Sequence, residues 1–314
     1  MKPFKIILVC GLITATLLAD SATRTNISFV QDEDGNLNPS IFIPMYYGEN
    51  NKFYSGIGYT SATLKEIGKV DNFSDSKNAL VSTEKAFTIN YITYQTSLLH
   101  FDVSIGLQST FSKYENNGFG YIHDSQNLFG NGSNYYIAFD NEIELDVKRH
   151  AINADILLPY GDYFKSRFST SISPYTSVSV KQTTIFKPLV NATGRSSSST
   201  VQDIAYSFRY EAQVKTGTFI DIGLEANYNN QPLKYDIAQL GVSGSSYVFN
   251  TANVDINEVT TSYIVRLIFN KKMLGGINPS IGYGLKNIDS KNNLTGKTTS
   301  VNKTIIAIGV EKRF

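Results

Sequence analysis

The side chains in this chain that could do chemistry are charged residues that recur two positions apart. Glu142, Glu144, Asp146 and Lys148 form one such run. Successive residues of a β-strand point to opposite faces, so each run predicts a row of charges along one face of a strand. The residues expected in such rows are Glu144, Asp146, Asp155, Lys165, Arg167, Arg209, Glu211, Asp221, Glu225, Arg266, Glu311 and Arg313. These rows could line an aqueous path and set its selectivity, or they could only satisfy one another inside a narrow interior.

Residues that commonly bind metals or act as nucleophiles are few. The three histidines are His100, His123 and His150. Asp32, Asp34 and Asn36 could hold a divalent cation, but a solvated acidic turn is the preferred interpretation. No zinc-ligand cluster, phosphate-binding loop or nucleophile elbow is present. We therefore predict no metal, no cofactor and no enzymatic activity.

The elements that must position these residues are strands, because twelve segments alternate between apolar and polar residues with a period of two. In one of them Tyr206 and Phe208 oppose Ser207 and Arg209. The predicted strands are 25–31, 38–48, 52–64, 85–98, 101–114, 136–157, 164–183, 201–215, 219–230, 252–270, 277–288 and 304–314. Ten or fourteen strands are the alternatives to this count.

The predicted connections alternate between short turns and longer loops. The short ones are 49–51, 99–100, 158–163, 216–218 and 271–276. The longer ones are 65–84, 115–134, 184–200, 235–251 and 289–300. Loop 115–134 could fold inward and narrow the interior, although a mobile surface loop is the preferred interpretation. Short turns on one side and long loops on the other are the layout of a transmembrane β-barrel.

Composition at the N-terminus predicts export from the cytoplasm. Lys2 and Lys5 precede an apolar run over 6–18 and the small residue Ala19, which predicts a signal peptide at residues 1–19. The remaining domain, 20–314, contains no cysteine. The 28 basic residues of the full chain, less Lys2 and Lys5, nearly balance its 27 acidic residues. Disulfides therefore cannot stabilise this domain, and no basic block predicts nucleic-acid binding.

The closing segment, 304–314, alternates to the last residue and carries Phe314 on its apolar face. In this it resembles the outer-membrane β-barrel proteins of Gram-negative bacteria, except that Lys312 stands where such proteins usually have an apolar residue or Tyr. The resemblance implies a single closed antiparallel transmembrane β-barrel of about twelve strands in the cell outer membrane. It also implies contact with outer-membrane lipids and lipopolysaccharide, and that Phe314 is the signal read by the outer-membrane assembly machinery.

Within such a barrel we expect the apolar face of each strand to point outward and the charged face to line the lumen. Turn geometry then predicts that Arg209 lies opposite Glu225 and Gln213 opposite Asp221. A second turn predicts that Asp155 lies opposite Lys165, and Asn153 opposite Arg167. The apolar positions of segment 136–157 change phase after Arg149-His150, which predicts a β-bulge there.

The function predicted from these features is a porin-like channel for passive diffusion of small polar solutes through a charged lumen. The alternative is a structural or surface-interaction barrel with a closed lumen. An outer-membrane lipid enzyme is the third reading, because His123-Asp-Ser125 resembles over two residues the His-x-Ser of outer-membrane phospholipase A. The His and Ser of that family lie on a strand, whereas these are predicted to lie in a loop.

Overall fold

The computed structural model describes residues 25–31, 37–47, 52–69, 77–98, 101–124, 135–160, 163–187, 191–217, 219–243, 246–269 and 277–312. Its elements are antiparallel strands. They are β1 (Thr25–Gln31), β2 (Leu37–Tyr47), β3 (Phe53–Lys69), β4 (Lys77–Leu98), β5 (Phe101–Asp124), β6 (Tyr135–Tyr160), β7 (Phe164–Ser173), β8 (Thr176–Lys187), β9 (Asn191–Val201), β10 (Ala205–Val214), β11 (Ile220–Ser243), β12 (Ser246–Phe269), β13 (Ile277–Asn292) and β14 (Thr298–Lys312). None of the described residues forms a helix long and apolar enough to span a membrane.

Two pairs of these segments are halves of single strands, so the described residues form twelve antiparallel strands, as the sequence predicts. Strand β6 pairs first with β7 and then with β8. On the other side, β10 pairs with β7 and β9 pairs with β8. Pro174 separates β7 from β8, because proline has no N–H to donate to the ladder. Ser173 Oγ donates to the carbonyl of Tyr175 across this break, at 2.8 Å.

Each strand pairs with the next along the chain in a curled sheet, and β1 also pairs with β14. Thr25 lies opposite Lys312. We call this end of the sheet the near end and the opposite end the far end. Strands β4, β6 and β10 end and β5, β7 and β11 begin at the near end, whereas β3, β5 and β11 end and β4, β6 and β12 begin at the far end.

The prediction of long loops at the far end is largely wrong, because most of these residues extend the hairpins. β5 and β6 stay paired as far as Asp124 and Tyr135, and β11 and β12 as far as Ser243 and Ser246. Residues of 191–201 pair with β8, and only residues 293–297 leave the ladder between β13 and β14. These segments are rich in Asn, Ser and Gly and lack a clear apolar alternation, but a neighbouring strand supplies the backbone partners that extended chain needs.

The outer face of the sheet is apolar over its near half. Phe168, Phe208 and Leu267 are 49%, 51% and 44% exposed. Similar residues recur on neighbouring strands: Ile105, Leu107, Ile152, Ile156, Ile172, Ile222, Leu224, Tyr263, Val265, Ile281, Tyr283, Leu285, Ile306 and Ile308. The prediction that the apolar side of these strands points away from the interior is therefore confirmed.

The far half reverses this pattern, and β6 contains the reversal. Leu145 and Val147 are 3% and 1% exposed, whereas Ile152 and Ile156 are 53% and 41% exposed. The β5–β6 register is nevertheless continuous along its whole length, so the predicted bulge at Arg149-His150 is wrong for β6. The odd-numbered residues of β6 point inward in both halves. They change only in chemistry, from polar in the near half to apolar in the far half.

An extra residue is present in the strand next to β6. Ile152 lies opposite Ile172 and Arg149 opposite Thr176. The two residues 150–151 of β6 therefore face the three residues 173–175, which include Pro174. This insertion turns Val178 and Val180 inward and Lys181 outward, although both valines are an even number of residues from Phe168, which points outward. A second bulge, between Asn90 and Ile92 of β4, explains why the apolar residues of that segment change phase.

We expect Asp146→Cys to react with a maleimide carrying a polyethylene glycol chain too large to enter the interior, in a Cys10→Ser background. Asp146 is exposed on the outer face, so the reagent can reach it. The matched control is Ser171→Cys on the inner face, which should react only with a small maleimide. Gel shifts of the folded protein measure both rates. Protection of the Asp146→Cys variant from the large reagent would mean that this position faces inward.

Candidate functional site: the interior layers

Side chains of strands that do not pair meet across the space that the sheet encloses. Tyr114 of β5 donates its hydroxyl to Gln231 Oε1 of β11 at 3.3 Å. Arg149 of β6 donates through Nη1 to the same oxygen at 3.1 Å. Neither β5 nor β6 pairs with β11. These contacts define the inner face and show that it is lined with polar groups at this level.

A cluster of partly buried charges on the inner face centres on Glu225. Arg266 donates to Glu225 Oε2 through Nη2 at 2.8 Å and through Nε at 3.1 Å. Arg209 Nη2 lies 3.4 Å from Glu225 Oε1 and 2.5 Å from Glu211 Oε1. The side chains of Glu225 and Arg266 are 10% and 15% exposed, but that of Arg209 is 40% exposed. Arg209 therefore reaches the open part of the interior.

A second acidic centre lies on the neighbouring strands β5, β6 and β7. Asp155 accepts hydrogen bonds from Ser169 Oγ and, at 3.2 Å, from Ser104 Oγ. Arg167 Nε lies 3.6 Å from Asp155 Oδ1. We call the charged residues of both centres the ionic layer: Asp155, Arg167, Arg209, Glu211, Glu225 and Arg266. Its three arginines and three carboxylates balance in charge.

Glycines on the neighbouring strands make room for Arg266. A Cβ at Gly282 would lie 2.9 Å from Arg266 Cγ and from Ile264 Cγ2, and one at Gly223 would lie 3.4 Å from Arg266 Cβ and 2.9 Å from Ile268 Cδ1. Contacts of 2.9 Å are shorter than normal carbon packing, so a side chain at Gly282 would displace Arg266 and one at Gly223 would displace Ile268. Gly282 of β13 thus leaves room for a long charged side chain on β12.

The predicted lumen pairs differ in register from those of the sheet. Arg209 lies opposite Asn227, two residues from the predicted partner, and Asp155 lies opposite Ser169. The side chains of Arg209 and Glu225 still meet diagonally, as above. Gln213 Nε2 likewise donates to Asp221 Oδ2 at 2.9 Å although Gln213 lies opposite Gly223. The turns contain more residues than the prediction assumed. This difference shifts the backbone register but leaves the side chains on the predicted face of the sheet.

The pairs predicted across the Pro159 turn have different partners. Lys165 lies opposite Pro159 on β6 and opposite Gln213 on β10. Arg167 lies opposite Leu157 and Glu211, and it forms an ion pair with Asp155 instead of meeting Asn153.

The prediction that Glu144 and Asp146 line the lumen is wrong. Their neighbours Leu145 and Val147 occupy the inner face, which leaves both carboxylates on the outer surface. Lys113 Nζ lies 3.6 Å from Glu144 and 2.9 Å from Glu115 on this surface. Water outside the far half favours charged groups there, and the apolar residues turn inward.

Leu145, Val147, Val178, Val180 and Leu233 pack together on the inner face of the far half, with Tyr114, Ile143 and Tyr235 against them. We call the first five the apolar layer. They come from β6, β8 and β11, and β11 pairs with neither of the other two strands. The layer therefore joins opposite walls and narrows the interior where sequence analysis expected charge.

Other predicted features fall at the margins of the described residues. Arg313, Phe314, Ser125, Asp32, Asp34, Asn36 and His100 lie outside them. Glu311 lies in β14 opposite Asn278, and only its backbone is described. His123 lies in β5 opposite Tyr136, in a strand and not in a loop. His150 contacts Ser109 Oγ through Nδ1 at 2.5 Å on the outer face.

Three further residues lie at the centre of the interior and were not predicted to do so from the sequence: Arg149, Gln231 and Tyr114. Arg149 lies next to the phase change, which was interpreted as a backbone irregularity, and Gln231 lies beyond the predicted end of its strand. Within the described ranges, no group of three or more His, Cys, Asp or Glu side chains could hold a metal ion.

Comparison with known proteins gives only a general likeness. No protein-family model and no curated protein matches the chain. Among solved structures, the translocator domain of the autotransporter NalP from Neisseria meningitidis has a TM-score of 0.45 and 8% identity, covering 99% of this chain and 96% of that one. A Pseudomonas aeruginosa FadL homologue has a TM-score of 0.41 and 9% identity over 93% of this chain and 89% of that one.

A third similar structure is the outer membrane protease OmpT from Escherichia coli, with a TM-score of 0.45 and 9% identity. The match covers 93% of this chain and 94% of that one. TM-scores below 0.5 and identities below 10% carry no argument about the function of this chain.

We expect Glu225→Gln to lower the free energy of unfolding by about 3 kcal/mol, because it leaves Arg209 and Arg266 without their shared carboxylate. Urea titration in phospholipid vesicles, followed by gel mobility, measures the change. The control is Glu211→Gln, whose more exposed ion pair should contribute about 1 kcal/mol or less. Equal losses in the two variants would show that Glu225 has no central role.

Proposed function

We propose that this protein is an outer-membrane β-barrel that works as a porin-like channel for small polar solutes. The observation that carries the proposal is the pairing of an apolar outer face with an inner charged face whose Arg209 is 40% exposed. A soluble protein rarely exposes apolar residues over neighbouring strands in this way. Lipid outside and water inside explain both faces together.

The backbone pairing supports a closed barrel as part of this proposal. β1 pairs with β14, β5 with β6, and β10 with β11, so each of the twelve strands has a partner on both sides over part of its length. Hydrocarbon cannot satisfy an unpaired backbone edge, so a sheet that spans a membrane must close. The seven β1–β14 pairs support closure at the point where the two ends of the sheet meet.

The membrane level corresponds to the near half. Strand β5 has 24 residues, about 80 Å of extended chain, whereas the apolar band of a bacterial outer-membrane barrel is about 25 Å tall. The far halves of β5, β6, β11 and β12 then project from the outer surface. Outer-membrane lipids contact Phe168 and Leu267, and lipopolysaccharide head groups meet the charged ladder of Lys113 and Glu144 at the rim.

The permeating solutes are small and polar because the charged side chains of the ionic layer project from the inner face. Its balanced charges give no strong preference for either sign. Twelve strands also lie between eight-stranded barrels, which side chains fill, and sixteen-stranded barrels, which hold open water. A non-enzymatic role is part of this proposal, and recognition of Phe314 by the assembly machinery stays a prediction.

A second candidate function is a structural or surface-interaction barrel with a closed interior. The apolar layer favours it, because Val147 and Val178 are 1% and 0% exposed and leave little space between the walls. Hydrophobic constrictions block ions by excluding water. In this case the projecting hairpins bind other molecules and no solute passes.

We expect single-channel steps from the folded protein in planar bilayers, and at least a twofold larger conductance from the Val178→Ala, Leu233→Ala double variant. Shortening both side chains widens the apolar layer, which is the narrow point of the path. Leu267→Ala on the outer face is the control and should conduct like the parent. If neither the parent nor the double variant gives steps, the channel is excluded and the closed barrel remains.

A further inference from the structure

We propose that Lys286 of β13 and Lys303 of β14 form a binding site for a small, doubly charged oxyanion of the phosphate class on the inner face. The two lysines lie directly opposite each other in the ladder between these strands. Gly282 lies on the inner face of β13, against Arg266. Lys286 is four residues further along the same continuous register, so its side chain points to the same face. Lys303 shares this face because directly opposed residues of a sheet point the same way.

Neither lysine forms an ion pair within the part of the chain that the structure describes. Glu258 of β12 lies opposite Ser290, which is four residues from Lys286 and about 13 Å away along β13. Like charges on directly opposed residues destabilise a sheet, since their Cβ atoms are only about 5 Å apart. Lys286 and Lys303 therefore concentrate two positive charges at one place on the inner face.

An apolar step separates the two lysines from the ionic layer. Ile264 and Ile305 lie opposite Gly284, one inner position nearer the ionic layer, and are 5% and 4% exposed. Glu225, which lies opposite Ile264, is already shared by two arginines of the ionic layer. The carboxylates of the ionic layer are thus engaged within it and do not compensate the charge of the lysines.

Solvent reaches both lysines. Each is partly exposed, in contrast to the buried isoleucines beside them. Across the ladder from Lys286 lies Ser262 of β12, whose small side chain takes up little space. Ser262 Oγ accepts a hydrogen bond from Asn227 Nδ2 at 3.1 Å, which leaves its own proton for another acceptor. A small anion that reaches Lys286 and Lys303 therefore meets two ammonium groups and a hydroxyl donor.

The chemistry of phosphate matches this arrangement. Each ammonium group offers three donors, and phosphate carries several acceptor oxygens and two negative charges. One dianion between the lysines would replace their repulsion by charge-assisted hydrogen bonds. Lipid head groups also carry phosphate, but under the proposed function they lie outside the wall. Selection of such anions during permeation rests on the proposed channel function, but binding itself does not.

The test measures the phosphorus NMR line width of inorganic phosphate in the presence of the folded full chain in maltoside micelles, at low ionic strength. At about pH 8 the phosphate is doubly charged, and the micelle contributes no phosphate of its own. We expect line broadening with the parent, and at least a threefold smaller broadening with Lys286→Gln, with Lys303→Gln and with the double variant. Lys291→Gln is the matched control, because it removes the same charge from an exposed outer-face position of β13. Equal broadening in the parent and the double variant overturns the site.

Urea unfolding in the same micelles separates binding from a structural role. Without phosphate, the double variant should have a urea midpoint at least as high as that of the parent, because two facing like charges are removed. Phosphate should raise the midpoint of the parent and of Lys291→Gln but not that of the double variant. A lower midpoint of the double variant without phosphate would show that the lysines pair with acidic side chains, and it would overturn the site.

Reversal potentials in planar bilayers test the link to permeation. Under a gradient of potassium chloride, the parent should prefer chloride over potassium at least twofold, and the double variant should lose this preference. A conducting parent without the preference excludes selection by the two lysines. A barrel that binds phosphate but carries no current loses the channel and keeps the site, whereas a conducting barrel that does not broaden the phosphate line keeps the channel and loses the site.

Discussion

The medium outside the wall decides which face of each strand is apolar, and the rest of the structure depends on this constraint. In the near half the outer face carries Phe168 and Leu267, and in the far half it carries Asp146 and Lys148. Under the proposed membrane function, lipid outside the first and water outside the second explain the difference, because apolar surface leaves water wherever it can. The boundary passes near Arg149 on β6.

Two neighbouring strands cross this boundary by different means. β6 keeps one register and one inner face and changes the chemistry of its odd-numbered residues from Asp155 to Leu145. The next strand keeps its apolar residues at even positions and gains one residue at Pro174, which rotates Val178 inward. A one-residue insertion turns every later side chain to the other face. Both solutions bring apolar residues together in the interior of the far half.

The interior is consequently layered. Charges meet at the ionic layer, a polar level with Arg149 and Gln231 follows, and the apolar layer lies beyond it. Glycines of β11 and β13 admit Arg266 in the first layer, while packed valines fill the last. Water therefore has access to the ionic layer and is largely excluded from the apolar layer. This contrast underlies both functional candidates.

The sequence by itself determined the all-β class, the twelve strands and the outward apolar face of the near half, because alternation with a period of two is a local property of strands. It also identified Arg209, Glu225, Asp155 and Arg167 as inner-face charges, and it predicted that Arg209 meets Glu225, but it did not predict the pair of Asp155 with Arg167. It could not determine the extended hairpins, since polar segments such as 191–201 become strands only when β8 supplies partners. Tertiary structure alone decided that Glu144 lies outside and that Arg149 lies inside and bonds to Gln231, because a change of phase in the sequence is the same for a bulge and for a change of surroundings.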